Sequence, residues 1–509
     1  MAGTIRSGAR QMAVAELVAR AAQAAAGLSG LGVGEADSVA LILRNDFPYL
    51  EASLACQQLG AFAVPINWHG KTEEVAYIVR DCGAQAVVVH ADLLRNLDGA
   101  FPPGVRVFGV ETPPELRAAY GLSDGAARIP DATEEWDSWL RGHQPWREPP
   151  RPQRASMIYT SGTTGRPKGV RRQPSNPETL ARGRQATVEV WGFAPDMRVC
   201  ITGPFYHSAP NTYVLSSVVM GADITVMPRF EPEELLRILE RDRITHMHMV
   251  PNMFVRLLKL PRAVRERYDT SSLKWVIHAA APCPADVKQA MIEWWGPVIH
   301  EYYGSTEAGL LTHCDSEQWL RHRGTVGPAT SFATLRILDD EGMQVPTGQV
   351  GTVYAKQSAV ADFTYNGQDG KRREIEREGY ITSGDMGYLN AEGFLFLCDR
   401  KIDMVISGGV NIYPAEIEAA LISLAGVQDC AVFGIPDEEF GESLLAVVEP
   451  AAGAALTAAM VSEHLRGKLA DYKVPRRIEF QAGLPREDSG KIFKRRLRDP
   501  YWAAAGRKI

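Results

Sequence analysis

Short apolar runs alternate with helix-length segments through the first three hundred residues, and this rhythm constrains the fold more than any other feature. Val39 to Leu43 reads as a buried strand, Tyr49 to Leu59 as a helix, and Phe62 to Ile66 as a strand. Glu73 to Arg80 is predicted helical and Ala86 to Val89 extended. Farther on, Asp223 to Met227 (strand), Pro232 to Arg241 (helix), Ile244 to Val250 (strand), Asn252 to Leu260 (helix) and Trp275 to Ala279 (strand) repeat the pattern. Strands separated by helices of about ten residues make βαβ units and largely parallel sheets. The expected class is α/β, with ligands at the carboxyl ends of the strands.

The texture changes near Gly324. Strand-like runs (Thr334 to Leu338, Val350 to Lys356, Phe394 to Leu397) are broken by Asp339-Asp340-Glu341-Gly342 and Pro346-Thr347-Gly348. A small antiparallel, barrel-like β subdomain is expected over about 324–398 of a large N-terminal domain, 1–400. Beyond it, 401–509 has the size and texture of a compact α+β domain, with a helix at Ala415 to Ser423 and a strand at Cys430 to Phe433. A length of 509 residues fits one large and one small unit.

A net charge of −6 gives no reason to expect nucleic acid or an anionic membrane as partner. The seven cysteines form no C-x-x-C pair, which suits free thiols in a reducing, cytoplasmic setting rather than disulfides or zinc. No run approaches the ~18 apolar residues of a membrane span. Met1 to Arg20 is Arg- and Ala-rich, as in a transit peptide. However, Leu17, Val18, Ala21, Ala25 and Leu28 recur at helical spacing, so the stretch is read as the first amphipathic helix.

Residues Tyr159 to Val170 read Y-T-S-G-T-T-G-R-P-K-G-V. Hydroxyls at Thr160, Ser161, Thr163 and Thr164, glycines at Gly162, Gly165 and Gly169, and the ammonium of Lys168 follow a short apolar strand. Glycines let backbone approach an anion closely while N–H and O–H groups converge on it, the chemistry of a polyphosphate cradle. Pro167 stands where a Walker A loop needs its second glycine, so the loop is not of that type.

Instead the segment resembles the phosphate loop of the adenylate-forming superfamily: acyl- and aryl-CoA ligases, amino-acid adenylation domains and luciferases. Further motifs follow in the superfamily's order. Tyr303-Gly304-Ser305-Thr306-Glu307 ends an apolar strand. The resemblance implies that Tyr303 stacks on adenine, Thr306 contacts the α-phosphate and Glu307, with Thr164, helps hold Mg²⁺. A carboxylate facing a triphosphate needs such a hard cation between them. Asp385, in a segment like the superfamily's T-G-D with Ser383 replacing its first threonine, would accept the ribose hydroxyls. Arg400 would reach the ribose too, and Ala280-Ala281-Pro282 would border adenine. Lys491, in Pro485-Arg486-Glu487-Asp488-Ser489-Gly490-Lys491, matches the catalytic lysine. Its cation would stabilise the charge that builds when a carboxylate attacks the α-phosphorus. Lys494, Arg495, Arg496 and Arg498 read as a solvated basic face touching CoA phosphates.

Gly408 and Gly409 resemble the loop lining the pantetheine tunnel of CoA ligases. The hinge position, usually Asp or Lys, is Ile402 here, flanked by Lys401 and Asp403. Amino-acid adenylation domains place an aspartate in the segment matching Pro204-Phe205-Tyr206-His207-Ser208, and none stands there. A substrate ammonium would be buried unpaired, so a simple carboxylate is favoured. His207 would gate the acyl tunnel, lined by Tyr206, His207, Asn211, Ile277, Ala279, Tyr302, Gly304 and Leu310. Acetate-specific relatives carry tryptophan at the Gly304 position, so glycine implies room for a medium or long fatty, aryl or polycyclic acid. His246 and His248 form an H-x-H pair on a strand without cysteine or carboxylate partners, which favours core or pocket lining over a metal site.

The resemblance thus implies an ATP- and Mg²⁺-dependent acid–CoA ligase working through an acyl-adenylate. The alternatives are an adenylating enzyme passing its acyl group to a carrier protein or other acceptor, and an inactive binding relative. Retention of Lys168, Glu307, Asp385, Arg400 and Lys491 together speaks against the last. Expected partners are the acid, ATP and coenzyme A, with a homodimer and a lysine acetyltransferase acting on Lys491 both permitted.

Overall fold

The computed structural model describes residues 3–160, 167–401, 403–407, 410–486 and 492–504. The first half is built on two sheets. One has five parallel strands in the order Phe62–Pro65, Ser38–Ile42, Ala84–His90, Arg106–Val110, Glu134–Glu135. The other has seven: Ile299–Glu301, Trp275–His278, His246–Met249, Arg198–Ile201, Asp223–Val226, Thr4–Ser7 and Arg10–Ala13. Its neighbours run parallel except for the last pair.

Burial explains why these strands read as unbroken apolar runs. Val39 and Leu41 enter one core cluster while Ala40 and Ile42 enter another, and Val199 and Ile201 part from Cys200 in the same way. Each sheet is therefore covered on both faces, as parallel sheets require. The central cluster joins one face of each sheet to the helices Val14–Gly30 and Phe47–Leu59. Asp46 caps the second helix by accepting from Phe47 N at 2.8 Å, and Gly60 ends it with φ +64°.

The N-terminus departs from expectation. The predicted helix is present, but a hairpin precedes it, and Thr4–Ser7 pairs in parallel with Asp223–Val226. Ile5 and Ser7 are fully buried there. A four-residue strand containing an arginine offers too little periodicity to reveal this partner.

The expected antiparallel region follows. Gly351–Gln357 pairs with Ala333–Leu338 and Asp385–Leu389, and the latter with Phe394–Arg400. Phe363–Tyr365 leaves this sheet to pair with Lys168–Arg172, which pairs with Ile158–Thr160. The C-terminal portion has its own cores around a long hairpin, Val427–Asp437 with Gly441–Pro450, and the helices Pro414–Ile422 and Ala458–Arg466. Lys259 Nζ reaches this portion by donating to Gln428 O at 2.7 Å and Val427 O at 3.2 Å.

The expected basic face after the lysine loop is only partly one. Lys494 Nζ lies 2.8 Å from Glu418 Oε1, and Arg498 is buried and paired with Asp403 at 3.7 Å. Helix Lys494–Ala504 turns these two cations inward, while Arg495 stays outside beside Asp499. No helix among the described residues is long and apolar enough to cross a membrane.

Candidate active site

The glycine-rich loop springs from the small antiparallel sheet, where Thr160 stands directly opposite Lys168. Both ends of the loop are therefore fixed; Ser161, Gly162, Thr163, Thr164 and Gly165 lie outside the described residues. Thr160 Oγ1 donates to Glu307 Oε1 at 3.3 Å, and Tyr365 Oη donates to the same oxygen at 3.2 Å. The loop's first hydroxyl and the predicted metal-binding carboxylate thus meet, although 147 residues separate them. The neighbours of Glu307 there are hydroxyls, which can turn aside for a hard cation, so this donor set fits Mg²⁺ completed by phosphate and water oxygens.

Arg172 braces the carboxylate's backbone. Its guanidinium donates to the carbonyls of Thr306 (2.7 Å), Glu307 (2.9 Å) and Ala361 (2.6 Å). Burial, only partly opposed by Glu307 and Asp362, pulls its pKa down to about 10. Lys168 Nζ lies 5.3 Å from the Tyr365 ring centre. Burial, and next the charge of Lys371, lower the Lys168 pKa. Two like charges near enough to disfavour each other raise the local positive potential, which favours an anion there.

A second set of contacts joins Tyr303, Asp385 and Arg400. Tyr303 Oη donates to Asp385 Oδ2 at 2.6 Å, and Arg400 Nε lies 3.4 Å from Asp385 Oδ1. Asp385 and Arg400 are register partners across adjacent strands, and Gly384 turns the chain into the first of these with φ +81°. Burial first, and then the Asp385 charge, push the Tyr303 phenol well above its usual pKa, so it stays a donor. At the end of strand Trp275–His278, Ala280 has φ +75°, a strained value for a residue with a Cβ. Ala280, Ala281 and Pro282 are all exposed there.

Of the expected acyl-site residues, Tyr206, Asn211, Ile277, Ala279 and Tyr302 are buried, and His207, Gly304 and Leu310 half-buried. Ile277, Ala279, Tyr302 and Leu310 share the central cluster. Asn211 Nδ2 donates to Tyr49 Oη at 2.6 Å, which in turn donates to Phe205 O at 2.7 Å. His207 precedes the helix Ser208–Val219 with its ring 4.4 Å from that of Tyr206. His246 sits 3.0 Å from Gly192 O and His248 Nε2 3.0 Å from Tyr302 Oη. Met247 and Met249 face the other way into the second cluster.

Gly304 requires a correction. It pairs with Leu310 in a tight hairpin, and a Cβ there would fall against the carbonyl oxygen of Gly309, well inside van der Waals contact. In this hairpin the close backbone approach leaves no space for a Cβ unless the Gly309 turn shifts, so room for a large acid does not follow from the glycine. Lys491, Gly408, Gly409 and Ile402 lie outside the described residues. Of the hinge neighbours, Lys401 pairs with Asp340 and Asp403 with Arg498.

Sequence reasoning missed Arg172, Tyr365 and Lys371. Only the Arg171-Arg172 pair, on the strand that begins at Lys168, hinted at the first; the other two come from a segment with no motif. It also missed Asp81, which accepts from Tyr159 Oη at 2.5 Å and anchors the strand feeding the loop.

Known proteins resemble this chain over nearly its whole length. A feruloyl-CoA synthase of Amycolatopsis is 32% identical over 98% of this chain and 95% of its own. A long-chain-fatty-acid–CoA ligase of Mycobacterium tuberculosis is 30% identical over 97% of this chain and 94% of its own. The ATP-bound crystal structure of MatB from Rhodopseudomonas palustris superposes with a TM-score of 0.82 at 28% identity, covering 98% of this chain and 96% of that one. Residues 4–363 match the AMP-binding enzyme family and 416–491 its C-terminal domain. Threaded through these matches in order, with its nucleotide motifs brought together in space, the chain belongs to the AMP-binding enzyme family.

Proposed function

We propose that this protein joins a hydrophobic carboxylic acid, fatty, aryl or polycyclic, to coenzyme A. The acid attacks the α-phosphorus of ATP to give acyl-AMP and pyrophosphate; the CoA thiol then displaces AMP to leave the thioester. The observation that carries this reading is the meeting of Thr160 and Glu307 beside the linked Tyr303, Asp385 and Arg400. These groups supply, within one region, hydroxyl and carboxylate for a metal–triphosphate and a carboxylate–guanidinium pair for a ribose. In this reading Lys168 and Lys371 neutralise phosphate charge, Thr306 meets the α-phosphate, and Ala280 to Pro282 flank adenine. Mg²⁺, held through Glu307 and Thr164, would screen the triphosphate from the carboxylate.

The chain divides in this reading into 1–400 and a mobile 401–509 that delivers Lys491 for adenylation and Gly408-Gly409 for CoA, with His207 gating the acyl side. A cytoplasmic setting, a homodimer and acetylation of Lys491 belong to the same proposal. Lys491→Ala is expected to slow acyl-adenylate formation ~10²- to 10³-fold while sparing transfer from preformed acyl-AMP to CoA. Equal losses in both half-reactions would remove that role from Lys491.

A panel of fatty, aryl and polycyclic acids tests the whole reading, scored for pyrophosphate with and without CoA and for thioester by mass. Thioester and AMP are expected from one class. Pyrophosphate without thioester would point to another acceptor, and no turnover of any acid would overturn the assignment.

A further inference from the structure

A fully buried hydroxyl without a hydrogen-bond partner stands behind the expected acyl-site wall. Tyr213, on helix Ser208–Val219, exposes none of its surface, and its Oη has no hydrogen-bond partner among the described residues. Its ring stands edge-on to Trp191 at 5.2 Å and Phe193 at 5.1 Å, and tilted to His248 at 5.8 Å. His248 Nε2 is in turn 3.0 Å from Tyr302 Oη. Tyr213 and Tyr302 belong to the same cluster as Ile277, Ala279 and Leu310.

A buried unpaired hydroxyl costs stability, and phenylalanine would fill the same space without that cost. No step proposed above uses it. Three polar side chains, on a helix, a strand and the end of another strand, therefore neighbour one another in a surround that is otherwise aromatic and aliphatic apart from the buried indole nitrogen of Trp191. Their chemistry narrows what they could meet. Burial lowers the His248 pKa to about 4, so the ring is neutral at ordinary pH. The group offers hydrogen bonds without charge, and a second carboxylate on the substrate would be desolvated there with no cation to meet it.

We propose that Tyr213, with His248 and Tyr302, receives an uncharged oxygen function, a hydroxyl or a carbonyl, carried on the hydrophobic body of the acid. This rests on the ligase reading for the identity of the ligand as an acid. It adds that the preferred acid is an oxygenated one, and names Tyr213 as a specificity residue outside the reacting centre.

Matched acids test it: 3-(4-hydroxyphenyl)propanoate against 3-phenylpropanoate, 12-hydroxydodecanoate against dodecanoate, and a ring ketone acid against its deoxy analogue. Binding to the full chain is read as acid-induced shifts of the melting temperature with ATP present, and turnover is read separately as thioester. In at least one pair the oxygenated acid should be favoured about tenfold, the scale of one hydrogen bond to a site that otherwise holds an unpaired group. Tyr213→Phe should shrink that preference to under about twofold, the lost discrimination being that of one neutral hydrogen bond. The same variant should melt, without acid, no lower than the parent. His248→Phe should weaken the same preference. Equal binding within every pair, failure of every oxygenated acid to bind, or a preference that survives Tyr213→Phe would overturn the proposal. Discrimination in binding without thioester formation would sustain it and sink the ligase reading alone.

Discussion

Asp385 is gripped from two sides, by the phenol of Tyr303 and the guanidinium of Arg400, and its carboxylate is only 14% exposed. Asp385→Asn keeps the shape but removes the charge and one acceptor, leaving Tyr303 Oη without its carboxylate. If this pair holds the ribose, the KM for ATP should rise about tenfold or more, the loss of a charge-assisted hydrogen bond. Pyrophosphate release measured against ATP concentration checks this, and an unchanged KM would detach Asp385 from the nucleotide. Residues like Asp385, Arg400 and Glu307 were legible because each sits in a motif whose neighbours announce it. Arg172 was not, because its task of holding the carbonyls of Thr306 and Glu307 depends on a fold that brings 172 beside 306. Tyr365 was hidden for the same reason, since its strand joins a sheet that the local sequence does not foretell.

Among elements, the hairpin Gly304–Ser305 with Gly309–Leu310 carries the greatest consequence for the site. Gly304→Ala would press a methyl group onto the Gly309 carbonyl. A destabilisation of about 2 kcal/mol is expected, in the range for overpacked sites. Denaturant unfolding of the variant measures it; a loss below about 0.5 kcal/mol, the level of a neutral substitution, would show that the hairpin yields. Bulky replacements at Gly304 must therefore be read with the fold's stability beside them before any change in acid preference is assigned to a pocket. The helices and central strands were legible from apolar rhythm, because both faces of each parallel sheet are buried and the signal is strong. Thr4–Ser7 and Phe363–Tyr365 were not, since each is short and finds its partner far away in sequence. The inward turn of Lys494 and Arg498 was likewise missed, because a run of cations looks solvated until Glu418 and Asp403 are found against it.

The whole molecule holds several histidines neutral in its interior. Burial lowers the pKa of His248 to about 4, of His300 to about 3 and of His313 to about 4, with their common reference at 6.5. Unfolding restores the ordinary value, so below about pH 6.5 the unfolded chain binds protons that the folded chain refuses. Stability from these groups is complete above that pH and is lost as the pH falls toward 4 and 3. Each contributes a slope of up to about 1.4 kcal/mol per pH unit inside its window. Melting temperature should therefore drop steadily from pH 6.5 to 4.5, and His300→Phe, which can keep the stack on Trp275, should flatten the decline. A melting temperature constant across that range would contradict the burial of these rings. The buried strand Thr4–Ser7 has a different kind of consequence. Thr4 N bonds to Asp223 at 2.9 Å across a separation of 219 residues. On a ribosome, this early-made strand can close its hairpin with Arg10–Ala13, but it must wait for its parallel partner until the chain has grown past Val226 and cleared the exit tunnel. The five-stranded sheet can assemble long before that moment. During synthesis the seven-stranded sheet is therefore the late and vulnerable one, and a nascent chain stalled before Asp223 would present Ile5 to chaperones rather than to its fold.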